Sequence, residues 1–183
     1  GDGTDTWQLD WGGASTTASI LTATQNAAMG IIMTGDAAGK TVVNVENITA
    51  SAGDLVYGNA DVNNLYGRGM IEGFAGADYI RGNGSNATAS YANAGNSYLA
   101  GQGVTTGSGV GVTANLTTTA FTHGGHVVNS GDAAGDTYNN ISNLYGSAYN
   151  DHLIGNSAAN TLTGGTGDDV LEGLGGADIL RGG

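Results

Sequence analysis

The sequence predicts an all-β solenoid of short strands wound coil upon coil and joined by glycine-rich turns. Three observations lead there. Nine-residue blocks follow one another in phase near the C-terminal end: GSAYNDHLI from Gly146, GNSAANTLT from Gly155, GGTGDDVLE from Gly164 and GLGGADILR from Gly173. Each block places Asp or Asn sixth (Asp151, Asn160, Asp169, Asp178) and Leu eighth (Leu153, Leu162, Leu171, Leu180). Glycine fills 35 of 183 positions while proline and cysteine are absent, which excludes collagen and disulfide scaffolds. A block with one inward aliphatic residue buries nothing alone. Stacked coils line those residues into a narrow core, with strands about 4.8 Å apart.

Taken in order, the chain opens on GDGTDTWQ, a block lacking its first Gly, with Asp5 sixth and Trp7 eighth. TWQLDW then alternates Trp7, Leu9 and Trp11 against Gln8 and Asp10, a strand pattern. A longer repeat overlies the short one. GDAAGKTVVNVENI from Gly35 matches GDAAGDTYNNISNL from Gly131, GNADVNNLYG from Gly58 matches GNSAANTLTG from Gly155, and EGFAGADYIRG from Glu72 matches EGLGGADILRG from Glu172. Two homologous modules are expected, 1–81 and 82–183, cut from a longer array. GVGVTANLTTT from Gly109 alternates Val110, Val112, Ala114 and Leu116 and reads as another strand. The coils are longer where the period lapses, with Gly-, Ser- and Asn-rich loops expected at 93–109 and 121–130. No amphipathic helix of useful length is expected.

Charge narrows the function. Sixteen acidic residues face four basic ones, a net charge of −12, which disfavours nucleic acid and anionic membrane surfaces as partners. No apolar run approaches the roughly 18 residues of a membrane span. The acid is of one kind, 13 Asp against 3 Glu. Asp is a turn residue whose carboxylate converges with backbone carbonyls on a hard cation. Two stacked turns supply two carboxylates and several carbonyls, an oxygen cage suited to Ca²⁺. Glycines at the first, second and fourth positions allow positive φ and close approach.

This pattern resembles the RTX family of hemolysin-type calcium-binding repeats, with its G-G-x-G-x-D-x-U-x consensus. GGTGDDVLE from Gly164 fits it fully, and GLGGADILR departs only at Leu174. The likeness is carried by 131–183 and, less completely, by 35–86. It implies a right-handed parallel β-roll with two blocks per coil and Ca²⁺ between turns of blocks two apart. It also implies type I secretion, unfolded in a calcium-poor cytosol and folded outside. Carried over, one cage joins Gly146–Asp151 to Gly164, Gly165, Gly167 and Asp169. A second, weaker for its amide, joins Asn160 to Gly173, Gly175 and Asp178. Asp5, Asp54, Asp78 and Asp136 hold sixth positions elsewhere, while Asn63 and Asn86 are amides. The block at Gly67 (GRGMIE) is short and carries Arg68. Lys40 stands where Asp136 stands in the second module. The first module is therefore expected to be partly calcium-independent.

Blander readings stand beside these. Asp and Gly also build turns with no ligand. His123 and His126 flank two glycines and lack a third zinc ligand nearby. His152 is expected to face solvent and Trp7 the core. No nucleophile-elbow frame and no cysteine point to catalysis, and the carboxylates are committed to turns. The expectation is a non-catalytic, extracellular or cell-surface bacterial structural repeat that stiffens on Ca²⁺ and joins further copies of itself in a filament, surface layer or adhesin. The alternative is the calcium-binding module of a larger secreted enzyme or toxin. An ice-binding solenoid fits less well, since the third positions (Ala148, Ser157, Thr166, Gly175) lack regularity.

Overall fold

A computed structural model of the chain describes residues 6–8, 17–19, 47–49, 55–95, 110–117 and 129–183. Asp5, Asp54, Lys40, Trp11, His123, His126 and most of both expected loops lie outside the described residues. So does the side chain of Trp7.

Strands of three or four residues dominate: β1 (Thr6–Gln8), β2 (Thr17–Ser19), β3 (Asn47–Thr49), β4 (Leu55–Tyr57), β5 (Asn64–Gly67), β6 (Met70–Glu72), β7 (Tyr79–Gly82), β8 (Thr88–Ser90), β9 (Thr113–Asn115), β10 (Thr137–Asn139), β11 (Asn143–Tyr145), β12 (His152–Ile154), β13 (Thr161–Thr163), β14 (Val170–Glu172) and β15 (Ile179–Arg181). The single helical turn among the described residues is the 3₁₀ turn Gly131–Ala133. Every pairing of these strands is parallel. The architecture is a parallel β-roll.

A long sheet runs β2-β4-β6-β8-β11-β13-β15. Facing it are a five-stranded sheet, β1-β3-β5-β7-β10, and a three-stranded sheet, β9-β12-β14. In the first stretch the chain alternates between the long and five-stranded sheets, and toward the end between the long and three-stranded ones. The register explains the core, because from β3 to β13 the second residue of each described strand points inward. Ile48, Leu65, Ile80 and Tyr138 line one wall, Val56, Ile71, Ala89, Leu144 and Leu162 the opposite one, and Ala114 and Leu153 the last; all are buried. Burying one Leu or Ile stabilises by roughly 1.5–3 kcal/mol, so each coil alone is marginal and the stack is the stable unit.

The continuous solenoid expected from the sequence needs one amendment. Among the described residues the long sheet is continuous, while the opposite wall is split into a five-stranded sheet ending at β10 and a three-stranded sheet beginning at β9. The expected module boundary after residue 81 falls inside β7. Val110 departs from the alternation it shares with Val112, Ala114 and Leu116. It is 58% exposed, while Val112, Ala114 and Leu116 are buried, because the strand begins only at Thr113.

Candidate metal centre

The turns fall on two edges. An exit edge carries the turns that leave the long sheet, at 58–63, 73–78, 146–151 and 164–169, with 110–112 and 129–136 entering β9 and β10 on the same side. An entry edge carries the turns that lead back, at 68–69, 83–87, 140–142, 155–160 and 173–178.

On the exit edge the sixth-position carboxylates form ladders. Asp169 Oδ1 accepts the backbone N–H of Asp151 at 2.9 Å, and Asp151 Oδ1 accepts that of Val112 at 2.7 Å. Asp78 Oδ1 accepts the N–H of Asn63, and Asp136 Oδ1 that of Asp78, both at 2.9 Å. Each carboxylate thus spends one oxygen fixing the neighbouring coil, at a charge-assisted bond worth about 1.5–3 kcal/mol. Among the described residues the entry edge has one such rung, Asp178 Oδ1 accepting from Asn160 N–H at 3.0 Å.

The second oxygens decide what the ladder can hold. Those of Asp78 and Asp169 are buried and accept no hydrogen bond. A buried carboxylate oxygen without a donor is expensive unless a cation completes it. Carbonyls crowd the same places. A side chain on Gly146 would strike both Asp151 Oδ2 and the Gly164 carbonyl, and one on Gly164 would strike Asp169 Oδ2. Gly165 and Gly167 adopt φ of 114° and 133° and press against the Ser147 and Tyr149 carbonyls. Among the described residues no three His, Cys, Asp or Glu side chains gather as a metal group. The donor set is therefore carboxylate plus carbonyl oxygen, which suits Ca²⁺ and not zinc.

Electrostatics agrees. Burial first, then the Asp136 charge, push the Asp78 carboxyl up to about 8, against the N–H of Asn63 that lowers it. Burial raises Asp136 to about 7, despite the Asp78 N–H and the Tyr91 hydroxyl. Asp151 is raised as well, mainly by burial. A neutralising cation would relieve such crowding.

The sequence-predicted ligands are thus placed unequally. Asp151, Gly164, Gly165, Gly167 and Asp169 come together on the exit edge. Asn160, Gly173 and Asp178 come together on the entry edge, where a side chain on Gly155 would lie 2.5 Å from Asn160 Oδ1 and 2.7 Å from the Gly173 carbonyl. Gly175 sits beside Ser157, and positive φ falls instead on its neighbours Leu174 (67°) and Gly176 (110°). Both Asp136 oxygens accept hydrogen bonds, Oδ2 from the Tyr91 hydroxyl at 2.7 Å; both Asp151 oxygens accept as well, from Val112 and Ser147, so in its rung Asp169 brings the donor-free oxygen. His152 does not face solvent as expected: its Nε2 lies 2.6 Å from Glu172 Oε1, with the side chain 17% exposed. The two meet because β12 and β14 pair in parallel.

Sequence reasoning missed the Tyr91–Asp136–Tyr138 group. Its signal was present, a Tyr at the eighth position of GDAAGDTYN where the four blocks from Gly146 carry Leu.

Comparison with known families completes the picture. The RTX calcium-binding nonapeptide repeat matches residues 70–88, 135–171 and 154–183, in four copies. The chain carries RTX repeats. RTX nonapeptide repeats bind Ca²⁺, so the chain contains a calcium-binding repeat module. The RTX segments include β6 of the long sheet, β7 of the five-stranded sheet and all of β10–β15. No curated protein matches the chain.

Proposed function

We propose that the chain is a non-catalytic structural repeat, secreted by a bacterial type I route to the cell surface or medium, that folds and stiffens as Ca²⁺ fills its exit edge. The observation that carries this reading is the Asp151–Asp169 rung, where one carboxylate oxygen is buried with no donor amid turn carbonyls. Asp151, Asp169 and the carbonyls of the Gly146 and Gly164 turns would hold the ion. Asn160 with Asp178 would form a weaker site, and Asp78 a site toward Asn63. Bound Ca²⁺ supplies positive charge that lets stacked carboxylates approach. The protein's own residues do the rest: N–H rungs set the register, and Leu144, Leu153 and Leu162 bury beneath the turns. Occupancy at extracellular calcium fits dissociation constants on the order of 10⁻⁴–10⁻³ M, and binding energy becomes folding energy.

The role of assembly unit rests on a second observation. β14 and β15 each pair with a single strand, and Val170, Ile179 and Leu180 beside them are about half exposed. A further parallel strand, from continuing chain or another copy, would cover them. Two homologous modules, 1–81 and 82–183, suit such an array. Sedimentation velocity in chelator and then in about 5 mM Ca²⁺, above that affinity range, is the test. Compaction with growth to large species is expected. Compaction to a stable monomer would overturn the assembly role, and no response would overturn the calcium role.

A further inference from the structure

The family's calcium chemistry does not fit every turn of the roll. On the entry edge, four carbonyls in or beside the turns at 83–87 and 140–142 already have side-chain donors. The Asn140 side-chain amide donates to the carbonyls of Gly82 at 3.1 Å and Gly84 at 3.2 Å. Asn143 Nδ2 donates to the Asn86 carbonyl at 3.2 Å, and Asn160 Nδ2 to that of Ser142 at 3.0 Å. Arg68 lies over Gly84, its Nε 3.0 Å from where a side chain on that residue would begin. From turn 68–69 to turn 140–142 this edge carries amides and a guanidinium, and no carboxylate.

The junction between the two facing sheets is closed in the same way. Asp136 accepts the Asp78 N–H and the Tyr91 hydroxyl, and the Tyr138 hydroxyl touches that of Tyr91 inside the core. Burial holds both hydroxyls far above their ordinary value, so they stay protonated donors. The Asn129 side chain bridges the two sheets: its Oδ1 accepts the Asn115 N–H and its Nδ2 donates to the Asp136 carbonyl, at 2.9 and 2.8 Å. Asn129 and Asn140 adopt φ of 50° and 54°, a region that Asn tolerates better than most residues.

We infer that the coils from β7 to β11 are held by the protein's own amide and hydroxyl donors in place of metal ions, forming a calcium-independent core on which the calcium-dependent coils after residue 146 stack. Asp136 is a structural acceptor in this core and not a calcium ligand. The division does not follow the sequence modules, because the metal-free part runs into the second of them. A preformed stack removes the slow step of starting a solenoid, and Ca²⁺ then has only to extend it.

The inference goes beyond the proposed calcium role and is separable from it by hydrogen exchange on the whole chain. In chelator, amides of β7, β8, β10 and β11 are expected to exchange about 100-fold or more slowly than unstructured amides, with those of 146–183 protected only once Ca²⁺ is added. Unprotected β7–β11 amides in chelator would overturn the inference. Unprotected 146–183 amides in Ca²⁺ would overturn the calcium role alone. Asn140→Asp keeps the side-chain shape and the tolerance for positive φ but replaces the donors with lone pairs. It is expected to speed exchange of residues 82–90 in chelator by about tenfold or more. Exchange equal to wild type would show that the amide clamp does not hold this edge.

Discussion

The two edges of the roll are built from the same turns and do different chemistry. The exit edge stacks Asp151 on Asp169 and leaves carboxylate oxygen unsatisfied. The entry edge stacks Asn140 over Gly82 and Gly84 and satisfies their carbonyls. Both solve the problem set by parallel coils, which aim backbone oxygens of successive turns at one another. At Asp169 a donor-free oxygen is left for a cation, and at Asn140 an amide supplies the donor. A single exchange of Asp for Asn therefore changes both what a turn binds and whether it stands alone.

The largest way to break this comparison is at the junction. Tyr91→Phe leaves Asp136 Oδ2 without its donor deep in the core, and destabilisation of about 2–3 kcal/mol is expected. Urea unfolding should give the same loss with Ca²⁺ and with chelator, because no ion takes part. A loss confined to calcium conditions would mean that Asp136 ligates metal.

Asp169→Asn comes next. The amide oxygen can keep the 2.9 Å rung to Asp151 N–H while the charge is removed. Calorimetric titration is expected to show calcium affinity lower by about tenfold or more, or 1.4 kcal/mol. Unchanged affinity would take Asp169 out of the site.

Acid sharpens the comparison from another side. Burial raises Glu72 to about 7, against two hydrogen bonds from Asn93, and Asp136 is raised to about 7. A carboxyl raised in the fold binds its proton more tightly there than in the unfolded chain. Its stabilisation is complete below the unfolded value near 4 and is lost as pH rises through about 7. Melting in chelator should therefore occur at higher temperature at pH 5 than at pH 8. The reverse order would mean that these carboxyls are not buried.

The smallest effect is expected at Leu174, one of two residues that stand where the repeat calls for Gly. Phe74 and Leu174 adopt φ of 66° and 67°. Leu174 is 48% exposed, so Leu174→Gly should relieve strain and stabilise by up to about 1 kcal/mol. Phe74 is buried against Tyr57, so the same change there should destabilise by about 3 kcal/mol. Equal effects at both would remove the strain argument.

The coil stack was legible because the period is short and rigid. Leu153 and Leu162 at eighth positions had to face one core, and Asp151 had to meet Asp169 two blocks on. What was not legible depended on partners far apart in sequence. Asp136 matches the sixth-position rule as well as Asp169 does; only the fold brings Tyr91 to it, 45 residues away. Asn140 looks like an ordinary turn residue until stacking places it on Gly82, 58 residues away. The change of sheet at β9 falls where the sequence carries no nine-residue period, so sequence pattern could not announce it.

The most direct test of the two-edge account is the anomalous scattering of calcium in crystals grown with the ion. The account predicts density between the Gly146–Asp151 and Gly164–Asp169 turns, and none between Asn140 and the carbonyls of Gly82 and Gly84 or beside Asp136. An ion on Asn140 or Asp136, or none beside Asp169, would contradict it.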